Sequence, residues 1–199
     1  MYAVLTWVVL ACFVIIPVAI AAASPLLAAR TGVYVMAGIA GAAALALLLV
    51  QPILAAGYLP GLHIAQARLW HRWVGTGIVI GVALHVGGLY LTSPPDALDA
   101  LLLVAPTPFS IYGVIGMWSV VLTVILVALR SRMALGYNAW RIVHNGLSAI
   151  VVVTSIVHAL MIEGMMGSLS KQILCLSVLA TMAIVSLHLR VIKPILKKR

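Results

Sequence analysis

Arg68, His71 and His85 lie in one apolar stretch of the chain, and Arg141, His144 and His158 lie in another 73 positions later, so both stretches read Arg-x2-His-x13-His. Fourteen residues at about 100° each fall about 40° short of four full turns, so the two histidines of a pair project from one face of a helix, roughly 21 Å apart along its axis. Each helix therefore offers one imidazole at each of two depths. Two such helices side by side make two His/His pairs, and axial ligation of haem iron is the most economical use of that geometry.

The elements that must position these residues are membrane spans. The chain is 65% apolar and only 8% charged, with a mean hydropathy of +1.25, too little polar surface to coat a soluble globule. Six stretches can cross about 30 Å of hydrocarbon. They are placed near Tyr2 to Ala22, Val33 to Ala56, Trp73 to Thr92, Ile111 to Leu129, Ile142 to Ile162 and Gln172 to Ile192. Ser24-Pro25, Gly57 to Gly61, Ser93-Pro94-Pro95, Arg130 to Gly136 and Glu163 to Ser170 separate them. The predicted fold is an all-α integral membrane protein, one six-helix bundle over residues 1–199, since the loops are too short to hold a second folded unit. Ala21 to Ala23 resembles a signal-peptide cleavage site, but there is no basic segment before it, so the first stretch reads as a true span. Cys12 and Cys175 fall inside apolar stretches and read as small buried hydrophobes.

The cations orient the bundle. With the N-terminus inside, Arg68, Arg72, Arg130, Arg132, Arg141, Arg190, Lys193, Lys197, Lys198 and Arg199 are inner, ten of the twelve Lys and Arg residues; Arg30 and Lys171 are outer. The positive-inside rule then predicts N-in and C-in, and Asp96, Asp99 and Glu163 fall on the outer face. The net charge of +9 is a topological signal, and no nucleic-acid partner is needed to explain it. The third and fifth spans both run outward, so His71 matches His144 in depth, near the inner end, and His85 matches His158 towards the outer leaflet. Arg68 and Arg141 stand one turn before the inner histidines, at the level where haem propionates need cations, and Arg72 is a third candidate. Gly75, Gly77, Gly81, Gly87 and Gly88 in the third span, and Gly146 in the fifth, would leave room for a flat macrocycle; glycines also serve close packing of helices in lipid. Trp70, Trp73, Tyr137 and Trp140 suit an inner aromatic belt, and His63 and His188, unpaired in the pattern, read as interfacial.

Arg68-Leu69-Trp70-His71-Arg72-Trp73-Val74-Gly75 leading to His85, then Trp140-Arg141-Ile142-Val143-His144 leading to His158, resembles the transmembrane core of the ferric reductase and NADPH oxidase superfamily. The resemblance implies six helices and two b-type haems, the inner held by His71 with His144 and the outer by His85 with His158, ligands coming from the third and fifth spans. It further implies electron transfer from a cytoplasmic-side donor to an outer-side acceptor. No flavin or nicotinamide-binding module is recognisable in these 199 residues, which is similar to the short bacterial members that rely on partners. The expected donor is a separate flavoprotein reductase, or quinol or flavin from the membrane, and the expected acceptor is a ferric species or a periplasmic reductase. FMN or FAD as a further cofactor is left open.

Two readings of other classes stand beside this one. A proton or transition-metal carrier would use the same four histidines, but such carriers usually add intramembrane carboxylates, and no span holds a well-buried Asp or Glu. A haem-bearing structural subunit without electron flux has the same sequence signature. Arg130, Arg132 and the Lys193 to Arg199 tail form the basic face most able to steer an acidic donor or to hold anionic lipid.

Overall fold

A computed structural model describes residues 1–197, of Lys197 only the backbone; Lys198 and Arg199, counted above among the inner cations, lie outside the described residues. The described residues form helices α1 (Tyr2–Ala22), α2 (Gly32–Ala56), α3 (Ile64–Thr92), α4 (Pro94–Leu101), α5 (Pro108–Ala128), α6 (Tyr137–Met161), α7 (Ser168–Leu187) and α8 (Lys193–Lys197), with no strand among them. Six helices are long and apolar enough to cross a membrane: α1, α2, α3, α5, α6 and the run Ser168–Leu196 that starts with α7. The chain is a multi-pass integral membrane protein.

Local chemistry sets the ends. The Thr31 hydroxyl accepts the Tyr34 N–H at 3.3 Å at the start of α2. The same helix stops at Gly57 (φ 69°), where the Gly57 and Tyr58 N–H groups bond the Leu54 and Ile53 carbonyls in the pattern of a Schellman cap. Helix α3 begins nine residues before the predicted Trp73. Gln66 reaches back to the His63 N–H at 3.0 Å, half of a capping box, and Gln and Arg continue the helix past the apolar limit because both are good helix formers. The connection that begins at the Ser93-Pro94-Pro95 break contains α4, which opens on Pro94 with the Ser93 hydroxyl donating to Asp96 at 2.6 Å. The last span changes to a π-helical turn at His188–Ile192 before α8.

The helices group into two compact units. In the first, Met1–Thr92 and the segment from Glu163 onward, α2 is the centre, burying Ala37, Ala42, Leu45, Ala46, Leu49 and Leu54. Helix α3 runs antiparallel against it through small residues: a Cβ added at Gly81 would lie 3.1 Å from Ala44 Cβ, and one at Gly88 would lie 2.7 Å from Ala37 Cβ. Helix α7 buries Leu174, Cys175 and Val178. In the second unit, Ser93–Ile162, α5 and α6 pack as a hairpin, burying Val114, Val120 and Leu126 on one helix and Val151, Val152 and Ile156 on the other.

Candidate metal-ligating histidines

Helix α3 carries His71 and His85, and α6 carries His144 and His158, all four neither fully exposed nor fully buried. In the first unit His85 places Nδ1 2.9 Å from the Ala37 carbonyl of α2. In the second, His158 places Nδ1 2.8 Å from the Phe109 carbonyl of α5. His71 makes the third such bond, 3.2 Å to the Gln51 carbonyl. A carbonyl oxygen only accepts, so Nδ1 must carry the hydrogen and the neutral ring keeps its lone pair on Nε2. Metal-ligating histidines are commonly fixed this way, with one ring nitrogen donating to a carbonyl and the other turned to the metal.

Glycine makes these approaches possible. The residue four positions after each acceptor is on the same helix face, one turn further along. After Ala37 it is Gly41, where an added Cβ would meet His85 Nδ1 at 2.7 Å; after Phe109 it is Gly113, where it would meet His158 Nδ1 and Cε1 at 2.8 Å. Each of these imidazoles thus lies over a glycine to reach the carbonyl one turn earlier. The arrangement recurs near the start of α3 with roles exchanged. Gln51 Nε2 donates back to the His71 carbonyl at 3.3 Å, across Gly75, whose Cβ would come within 3.2 Å of that nitrogen. His144 is set differently: its ring stacks on Trp140, centroids 5.0 Å apart and planes 8° apart. Phe109 adds an edge contact to His158 at 5.8 Å.

The remaining expected site residues lie around these four. Arg68, Arg72 and Arg141 are exposed, Arg141 lying 5.7 Å from the Tyr137 ring centroid. Gly75, Gly77, Gly81 and Gly88 face α2, whereas Gly87 and Gly146 have no neighbour within 4 Å of an added Cβ. His63 precedes α3, and His188 opens the π-helical turn and hydrogen-bonds the Tyr58 hydroxyl through Nδ1. Among the described residues no three of His, Cys, Asp and Glu gather to hold a bare metal ion. The supporting residues Ala37, Gly41, Gln51, Phe109 and Gly113 were not singled out from sequence. Their one signal is that Ala37-x3-Gly41 and Phe109-x3-Gly113 stand at nearly the same remove before His85 and His158.

Comparison with curated proteins and with solved structures finds no match. A family model does match: ferric reductase like transmembrane component, over residues 37–155. That range runs from the carbonyl that holds His85, takes in His71, His85, His144 and both glycines, and stops three residues short of His158. Covered over more than half its length, the chain belongs to the ferric reductase-like transmembrane component family, whose general role is electron transfer across a membrane, commonly with haem and with separate redox partners.

Proposed function

We propose that this chain carries electrons across a bacterial plasma membrane through two b-type haems, with His71 and His144 as the inner pair of axial ligands and His85 and His158 as the outer pair. One observation carries the reading: three of the four rings hold Nδ1–H on a helix carbonyl, which leaves Nε2 as the basic nitrogen. That tautomer is the one axial ligation requires, and it suits haem better than a bare ion because each depth offers two imidazoles without a carboxylate. Bound haem would supply an iron centre that takes and gives one electron at a time.

The protein's own residues do the rest. The Ala37, Gln51 and Phe109 carbonyls fix ring orientation and make Nε2 more basic. Arg68, Arg72 and Arg141, one turn before or beside the inner histidines in sequence, would neutralise propionates. The positive-inside rule gives N-in and C-in, so α3 and α6 run the same way and their histidines match in depth. Electrons would enter at the basic inner face from a flavoprotein reductase or a membrane quinol or flavin, and leave to a ferric species or a periplasmic reductase.

Spectra of single variants test the pairing. His85→Ala and His158→Ala should each remove the outer haem and spare much of the inner one, and His71→Ala and His144→Ala should do the reverse. Spectra that group His71 with His85 would overturn the two-helix arrangement.

A further inference from the structure

We infer that the Trp140 indole N–H and the Arg130 guanidinium form an oxyanion seat at the start of α6, and that its occupant is a carboxylate of the group His144 holds; this rests on the haem reading above. Trp140 Nε1 is buried and has no hydrogen-bond partner among the described residues. An indole nitrogen can only donate, so what it needs is an acceptor. The Arg130 guanidinium lies 4.1 Å from the Trp140 ring centroid and 5.8 Å from that of Tyr137, which holds a cation against the indole face. Arg141 approaches the same Tyr137 ring from the next residue along.

Within Ser93–Ile162 no side-chain carboxylate serves this cluster. The stretch from Arg130 to His144 contains no acid, and the two acids of this unit, Asp96 and Asp99, belong to α4 before the start of α5. Helix α5 has 21 residues, so they stand roughly 30 Å from the Arg130 end of that helix. A donor that lacks an acceptor, beside cations that lack a carboxylate, selects an oxyanion. The source follows from the stack: Trp140 and His144 are parallel and adjacent, so an acceptor on the indole edge sits beside the imidazole rather than over it. A side-chain carboxylate of a macrocycle ligated by His144 meets that requirement, and a lipid phosphate is the competing source.

Trp140→Phe keeps the stack and removes the N–H; Arg130→Gln keeps a polar side chain and removes the charge. The full chain in its haem-free form is titrated by absorbance with haem and with haem dimethyl ester, which has no free carboxylate, in lipid-free neutral detergent and again with phosphatidylglycerol. Each substitution should weaken haem binding about tenfold, the size of one charge-assisted hydrogen bond, and leave ester binding unchanged in both media. Equal weakening for haem and ester, or none for either, overturns the seat. Weakening that occurs only with phosphatidylglycerol overturns the carboxylate in favour of lipid phosphate. Binding of neither compound by the unsubstituted chain overturns the haem reading itself.

Discussion

Gly113→Ala and Gly41→Ala should disable the outer pair of histidines while leaving the inner pair intact. At Gly113 the new methyl would sit 2.8 Å from Nδ1 and Cε1 of His158, and at Gly41 it would sit 2.7 Å from His85 Nδ1. Ordinary contact begins near 3.4 Å, so the His158 ring must retreat by roughly 0.6 Å, which stretches its 2.8 Å bond to Phe109 past good hydrogen-bond length. The loss of such a supporting partner typically costs about 10–100-fold in metal affinity, or roughly 1.4–2.8 kcal/mol, similar to the usual cost of overpacking. Opposing this, Gly to Ala in a helix gains about 1 kcal/mol of helix propensity. Thermal stability therefore mixes two signs, and the informative assay is haem per chain with potentiometric titration of each haem. Gly32→Ala and Gly136→Ala are the controls, since among the described residues nothing lies within 4 Å of either added methyl and neither glycine belongs to the set expected to make room for the macrocycle. Unchanged outer-haem occupancy and potential in both Gly41→Ala and Gly113→Ala, or equal damage in the controls, would refute the glycine argument.

Three further outcomes are expected. Arg68→Leu and Arg141→Leu should lower the inner haem's reduction potential or its retention, and spare the outer haem, because a lost cation no longer offsets propionate charge; redox titrations of the four centres check it. Gln51→Leu removes the 3.3 Å bond to the His71 carbonyl but also the buried, unpartnered Gln51 Oε1, each worth about 1 kcal/mol with opposite sign. Thermal unfolding should therefore shift by less than about 1 kcal/mol, and the inner haem should stay, because the Gln51 main-chain carbonyl still takes the His71 N–H. Reduction by a flavoprotein partner, followed by stopped flow in neutral-lipid nanodiscs, should slow as salt rises and when Arg132, Lys193 and Lys197 are neutralised; a rate indifferent to both favours a donor that enters from the membrane.

The spans were legible because hydrocarbon thickness dictates apolar length: the bounds of α1 coincide with the reading, and those of α2 differ by one residue. The same criterion fails where a helix leaves the hydrocarbon. Ile64 to Arg72 is helical by capping and propensity, α4 is amphipathic but has only eight residues and opens on two prolines, and nothing in the sequence announces the π-helical turn at His188. The histidines stood out because four polar rings in apolar helices repeat at one spacing. Their supports did not, because the acceptors are main-chain carbonyls, which any residue has. Gly41 and Gly113 are also indistinguishable in sequence from glycines such as Gly81 and Gly88 that only let helices approach. Trp140 read as a belt residue because sequence does not reveal an indole N–H buried without an acceptor.

A reduced-minus-oxidised absorption spectrum of the purified chain, with haem quantified per polypeptide, tests the four-histidine proposal most directly. Two low-spin b-type haems per chain, both with bis-imidazole spectra, are the expected result. A chain that contains no haem after expression with ample haem supply, or that saturates at one, would contradict it.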